Sequence, residues 1–383
     1  MKKYYQPTKI HFGQGALSLL PRIVSQYGKK VFLVTTPDEP LQPLYAQVKE
    51  LLRKAGISYY HFDRIMPNPT AEIIEEGFLI LRQEACEAIV ALGGGSSIDS
   101  AKILSLVYGK DEIDWDDLLE AFGSPYEDYP HYSDSSLPLI TIPTTSGSGS
   151  QVTQAAVVSR GSDKVTVYHP DCFAKECILD PNLVVTLPKR MSMATGFDAF
   201  THAFESYLNI HHSIYSRFDS VNALHLIINH LPLLKEDLTN MEHRRAMSLA
   251  DTLAGKALAN SGADIPHPLS EIIGGITHMT HGIALACVFV PFIEVMQEKH
   301  KEDFNALAHI LDPQLEKEAE GSALLAGIVK DFMKSIEMDV TLSENGVSSE
   351  DFAMICKAPV LHHLPFATHE ECLAILEKAY ARN

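Results

Sequence analysis

Three short runs, Val31-Phe32-Leu33-Val34, Ala88-Ile89-Val90-Ala91-Leu92 and Leu139-Ile140-Thr141-Ile142, are almost wholly apolar, and helical patterns separate them. A strand with one wet face alternates apolar with polar residues. A strand without alternation needs cover on both faces. Apolar strands spaced by amphipathic helices therefore predict a parallel sheet with helices on both sides. The surrounding chain agrees, with extended patterns at Thr8–Phe12 and Ile57–Phe62 and helical ones at Ala16–Tyr27, Leu44–Ala55 and Thr70–Glu84. Ala155–Ser159 and Val165–His169 read as a hairpin around Arg160-Gly161-Ser162-Asp163, while Val107–Ser136 reads as a polar, solvated excursion. Near Asp180-Pro181 the period changes. From Pro188 helix follows helix, with breaks expected at Pro232, Gly262 to Pro268, Gly274-Gly275 and Ser343 to Gly346. The expected organisation is an α/β domain over residues 1–182 and an all-α domain over 183–383.

Two apolar strands end in unusual loops. Gly93-Gly94-Gly95-Ser96-Ser97-Ile98-Asp99-Ser100-Ala101-Lys102 follows the second directly. Glycines admit a ligand close to the backbone, and the free N–H groups of the next helix form an anion site. This makes Gly94, Gly95, Ser96, Ser97 and Asp99 candidates for a cofactor pyrophosphate, although neither usual nucleotide fingerprint is matched. The plainer reading is a capped helix with Ser96 as N-cap and Asp99 three residues later. The third strand contains Thr141 and delivers Thr144-Thr145-Ser146-Gly147-Ser148-Gly149-Ser150, whose hydroxyls suit phosphate or ribose. Thr144, Thr145 and Ser148 are candidates there, with Lys164 on the hairpin available to the same groups. As an alternative the run is a flexible loop.

The helical half holds a different chemistry. Asp198 and His202 are four apart, which puts both on one face of a helix. His267 and His281 follow. One carboxylate with three imidazoles suits Fe(II), Zn(II), Co(II) or Ni(II) and not a calcium cage. The pattern leaves rivals open: Glu271 lies four after His267, and His278 three before His281. An ordinary helix pair, worth about 0.2–0.5 kcal/mol, also accounts for Asp198 and His202.

A formal charge of −18 over 383 residues argues against a nucleic-acid partner, because phosphate affinity needs clustered lysine and arginine. Met1-Lys2-Lys3 leads into Tyr4-Tyr5-Gln6-Pro7 and not into an apolar run, so no signal peptide is expected. The longest apolar stretch, Ile283 to Ile293, is too short to span a membrane. Six scattered cysteines show neither metal-ligand nor disulfide rhythm, which fits a reducing cytoplasm.

Taken together, the glycine turn Gly93–Lys102, the loop Pro143–Ser150 and the helix Gly196-Phe197-Asp198-Ala199-Phe200-Thr201-His202-Ala203-Phe204-Glu205 resemble the iron-containing alcohol dehydrogenase family. The resemblance covers nearly the whole chain, with Gln151 where a glutamate is usual. It implies an N-terminal dinucleotide-binding α/β domain and a C-terminal all-α domain, the two-domain architecture of dehydroquinate synthase. It also implies hydride transfer between NAD(P)(H) and a small primary alcohol or aldehyde. Asp198, His202, His267 and His281 then fall on the metal ligands, which removes Glu271 and His278 from the ligand set. Iron is the expected metal, with zinc used by some relatives. Where many members carry a second histidine on the substrate-side proton path, this chain has Glu271. NAD-preferring relatives close their first inner strand with an aspartate, and Thr36 stands in its place. That favours NADP, although Asp38 and Glu39 follow. A homodimer through the strand at Thr8–Phe12 is expected as well. A related fold acting on a polyol or sugar phosphate is the alternative. Phe197, Phe200, Phe204, Met279 and Phe292 around the ligand positions argue instead for a small, partly apolar substrate. A metal-stabilised interaction module leaves the loops after apolar strands unexplained.

Overall fold

The structure is a computed structural model that describes residues 3–125, 129, 132, 135–161, 163–316 and 319–381. Ser162 of the hairpin, Met1-Lys2 and part of the 107–136 segment lie outside the described residues. The chain forms two compact units, Tyr5–Leu187 and Pro188–Asn383, and the second also takes in the Met1–Tyr4 segment.

In the first unit the elements run β1 (Lys9–Phe12), α1 (Leu20–Val24), β2 (Lys30–Val34), α2 (Gln42–Lys54), β3 (Ser58–Phe62), α3 (Ala71–Glu84), β4 (Ala88–Gly93) and α4 (Gly95–Val107). There follow α5 (Trp115–Phe122), β5 (Leu139–Pro143), β6 (Ala155–Arg160), β7 (Asp163–Tyr168) and β8 (Glu176–Leu179). Six strands form one sheet in the order β1-β8-β5-β4-β2-β3, and every pairing is parallel. The missing alternation has the expected cause. Phe32, Val34, Ile89 and Ala91 enter the core on one face, while Val31, Leu33, Ala88, Val90 and Leu92 enter the core on the other. Successive side chains of a strand point to opposite faces, so both faces must be apolar.

β3 lies outside β2, and the chain then returns to lay β4 on the other side of β2. The strand order reverses between β2 and β4, and ligands of open α/β sheets bind beyond the carboxyl ends at such a reversal. Thr35-Thr36 and Gly93–Gly95 are those two ends. β6 and β7 pair antiparallel as a separate ribbon. Strand β8 is short and was not foreseen.

The polar segment is more ordered than its composition suggests. It holds α5, whose Trp115, Leu118 and Phe122 are buried. The acids that disguise it sit where a helix wants them. The Asp114 carboxylate accepts the N–H groups of Asp116 and Asp117, and both of those acids occupy the first turn.

The second unit is helical: α6 (Lys189–Leu208), α7 (Ile214–Glu236), α8 (Met241–Ser261), α9 (Pro266–Thr277), α10 (His281–Met296), α11 (Lys301–Leu311), α12 (Gly321–Ser335), α13 (Ser349–Ile355) and α14 (His369–Tyr380). Two expected breaks are absent. Pro232 sits inside α7, and Gly274-Gly275 lie within α9. An interior proline costs about 3 kcal/mol and each glycine about 1. The buried neighbours Leu231, Leu234, Leu269 and Ile273 supply packing that holds these helices together. No helix among the described residues is long and apolar enough to cross a membrane.

Candidate metal centre

Helix α6 is buried along most of its length, so its polar residues must find partners inside the unit. Asp198 and His202 share a face, as their spacing requires. α10 begins at His281, and its next residue, Gly282, packs on the backbone of α6: a Cβ there would lie 2.2 Å from the Ala194 carbonyl oxygen. Only glycine allows that approach. It brings the start of α10, and His281 with it, against Asp198.

The result is a convergence of donors. Asp198 Oδ1 lies 3.6 Å from His202 Nε2, 3.8 Å from His267 Nε2 and 3.5 Å from His281 Nε2. The His202 and His267 rings stack at 4.5 Å, and His281 stands edge-on to His267 at 5.3 Å. Asp198 Oδ1 and His267 Nε2 are buried without any hydrogen-bond partner. Such orphaned atoms are costly unless something else binds them. Tetrahedral donors about 2.1 Å from an ion stand roughly 3.4 Å apart, close to the separations seen. The residues present fit a divalent cation.

The far sides of the rings are also engaged. His267 Nδ1 lies 2.8 Å from Glu205 Oε1, and Glu205 Oε2 accepts the Asp264 N–H at 2.8 Å. The Ser270 hydroxyl donates to the His267 carbonyl at 2.7 Å and stands 3.2 Å from His281 Nδ1. Glu205 was not singled out from the sequence, yet it had a signal: it lies seven residues after Asp198, on the same helical face. The electrostatics favour positive charge at the centre. Burial works against the Asp198 carboxylate, but the imidazoles of His202, His281 and His267 outweigh it and hold its pKa at about 2. Burial likewise pushes His267 down, while Glu205 and Asp198 outweigh it and raise the ring to about 10.

The rivals fall elsewhere. His278 ends α9 in a left-handed conformation, φ 56°, and is exposed. Glu271 stands one turn beyond His267, half-buried, and is not among the clustered donors. The aromatic residues require a correction. Phe197, Phe200, Phe204 and Phe292 are fully buried and pack with Phe289 in the helical core. They occupy the faces of α6 and α10 that hold the unit together, so they line no substrate site; Met279 packs half-buried against the same core.

In the first unit the glycine turn and the hydroxyl loop meet. The Thr144 N–H donates to the Gly93 carbonyl at 3.0 Å. A Cβ on Gly94 or Gly95 would lie 3.2 Å from Thr145 or Ser148. Helix α4 starts at Gly95 with Gly94 as its N-cap, so Ser96 stands in the first turn and caps nothing. The hydroxyls of Ser97 and Thr141 are buried without a partner. Asp99 is committed internally: its oxygens accept from the Ser150 hydroxyl and the Val157 N–H. Fully buried Lys102 donates to Ser150, Thr153 and the Ala155 carbonyl, which ties the loop to α4. Lys164 sits half-buried on β7, opposite Ser159 across the ribbon. At the end of β2, the Thr36 hydroxyl donates to Asp38 Oδ2 at 2.7 Å and lies 3.0 Å from the Tyr45 hydroxyl.

The chain is similar to known proteins along nearly its whole length. Residues 7–181 match the family description "Iron-containing alcohol dehydrogenase", and residues 192–380 match "Fe-containing alcohol dehydrogenase family, C-terminal". The choline dehydrogenase of Bacillus subtilis is 30 % identical over 389 residues, covering 99 % of this chain and 94 % of the relative. The NAD-dependent methanol dehydrogenase of Bacillus methanolicus is 29 % identical over 366 residues, covering 93 % of each. An archaeal alcohol dehydrogenase from a Red Sea brine pool superposes with a TM-score of 0.89 at 28 % identity, over 99 % of both chains. With a parallel sheet that ends in two facing loops and a helical unit that clusters Asp198, His267 and His281, with His202 beside Asp198, this chain belongs to the iron-containing alcohol dehydrogenase family, the metal-dependent NAD(P)-linked oxidoreductases of alcohols and aldehydes.

Proposed function

We propose that this protein interconverts short aldehydes and their primary alcohols, with Asp198, His202, His267 and His281 holding a ferrous ion. One observation carries the reading: three imidazole nitrogens face Asp198 Oδ1 at 3.5–3.8 Å, and both that oxygen and His267 Nε2 lack a hydrogen-bond partner. A divalent cation bound there supplies Lewis-acid polarisation of an alcohol or aldehyde oxygen. The substrates in the names of two relatives, methanol and choline, are both primary alcohols, which supports that class. In the first unit, Gly94, Gly95, Ser97, Thr144 and Ser148 receive the cofactor pyrophosphate through backbone N–H groups and hydroxyls. Thr36 stands at the adenosine-ribose end. Glu271 takes the proton-path role at its carboxylate, which its half-buried position one turn past His267 allows. Edge strand β1, paired on one side only, supports a homodimer formed by strand pairing. The cysteines, five of them buried, support a cytoplasmic home, and the charge of −18 argues against a nucleic-acid partner.

The test is metal analysis of protein purified without chelator, together with oxidation of NADH and NADPH by short aldehydes. Stoichiometric metal without hydride transfer to any aldehyde or ketone overturns the proposal. Anaerobic reconstitution decides the ion, and higher turnover with zinc replaces iron.

A further inference from the structure

The face of α6 that carries Asp198 and His202 carries a third polar side chain, Glu205, which is wholly buried. A carboxylate removed from water persists only when both oxygens are engaged. Here they are, by His267 Nδ1 and by the Asp264 N–H, each at 2.8 Å. The first of these bonds has a direction. With both Glu205 oxygens accepting, Nδ1 donates, and an ion that takes the place of the Nε2 proton meets the Nε2 lone pair. Nε2 is the atom that faces Asp198 without a partner.

His281 is held by different means. The Ser270 hydroxyl spends its proton on the His267 carbonyl, which leaves it an acceptor for His281 Nδ1–H at 3.2 Å. That contact is neutral and longer, and the His281 side chain is 32 % exposed, so water can replace it. The His267 support is shorter, at 2.8 Å, and sealed from solvent.

We infer that Glu205 is the positioning residue of the metal centre. It fixes His267 in the tautomer that ligates through Nε2. This rests on the reading that such an ion sits among the four donors. Glu205→Gln preserves size but offers one acceptor oxygen to two N–H donors, so either His267 or Asp264 loses its partner.

The experiment uses the full-length, metal-loaded protein and measures affinity for zinc and cobalt by chelator competition. Glu205→Gln is expected to weaken binding by about 10–100-fold, and Ser270→Ala by less. The visible absorption of the cobalt form shifts in Glu205→Gln, a signature that a purely structural role leaves alone. A folded Glu205→Gln protein with affinity within about threefold of wild type and an unchanged cobalt spectrum overturns the inference. Should the variant fail to fold, wild-type protein labelled with ¹⁵N at histidine and loaded with zinc answers instead. A proton on His267 Nδ1 is expected, and a proton on Nε2 refutes the assignment. Wild-type protein that binds no metal strikes at the site itself, whereas a variant equal to wild type strikes only at Glu205.

Discussion

Asp38 shows how one side chain alters an expectation. By resemblance Thr36 stands where NAD-preferring relatives carry an aspartate, and its hydroxyl is expected to donate to a 2′-phosphate. In the structure that hydroxyl donates to Asp38, so a carboxylate stands at the strand end after all, displaced by two residues. A carboxylate there accepts from the ribose 2′-OH and repels a 2′-phosphate. NADH is therefore expected to outperform NADPH. Asp38→Asn is expected to shift the ratio of kcat/KM values toward NADPH by about tenfold, equivalent to about 1.4 kcal/mol. An unchanged ratio removes Asp38 from specificity. Glu271 makes a second residue-scale case. Glu271→Gln is expected to lower kcat and to strip one ionisation from its pH profile, and an unaltered profile would end its proton-path role. The residue scale is also where reading the sequence met its limit. Asp198 and His202 were legible because one helix sets their relation. Spacing alone left His278 as a rival of His281, and only the family resemblance chose between them; the physical reason is that α9 ends in a left-handed residue and α10 starts against α6. Those facts depend on tertiary contacts, which spacing does not encode.

At the scale of elements, close approach and edge pairing matter most. Gly282 lets α10 touch α6, and Gly282→Ala places a methyl group against the Ala194 carbonyl. Overpacking of this kind typically costs about 1–3 kcal/mol. Because the displaced helix carries His281, metal affinity is expected to fall together with thermal stability. A variant that loses stability while keeping its metal affinity would break the link between α10 docking and the site. The edge strand β1 offers a pH test. Glu176 on β8 is buried and receives Lys9 and His11 of β1, together with Tyr27, at 2.5–3.0 Å. Burial pushes its carboxyl up, but these three hydrogen bonds outweigh it and hold the pKa below the ordinary 4.5. Because the folded value is depressed, the stabilisation is present above 4.5 and is lost as pH falls through the folded value. Glu176→Gln is therefore expected to lower the unfolding temperature at neutral pH, with the gap to wild type closing below about pH 4. A gap that is constant from pH 7 to about pH 3 contradicts this. The strands around Glu176 were only partly legible. β2, β4 and β5 announced themselves by continuous apolar runs, while four-residue β8 carries a buried glutamate and hid among loops. α5 was hidden by the acids of its own cap.

For the whole molecule, the donors of the metal site come from three helices of one unit, α6, α9 and α10. A ligand that binds only the folded state stabilises it by about 4 kcal/mol at a thousand times its dissociation constant. Chelation is therefore expected to speed amide hydrogen exchange in those three helices and to leave the strands of the parallel sheet unchanged. Equal acceleration in sheet and helices would show that the ion does not act locally. The sheet itself has a consequence for the making of the protein. Among the described residues its first strand, β1, pairs only with its last, β8, and His11 meets Glu176 across 165 residues. At a ribosomal rate of roughly 5–20 residues per second, β1 leaves the exit tunnel roughly 8–33 s before its partner exists. During that interval the sheet grows from β2 outward while a bare strand dangles at its head, so the nascent chain is exposed to chaperones and to neighbouring polypeptides until the unit is nearly finished.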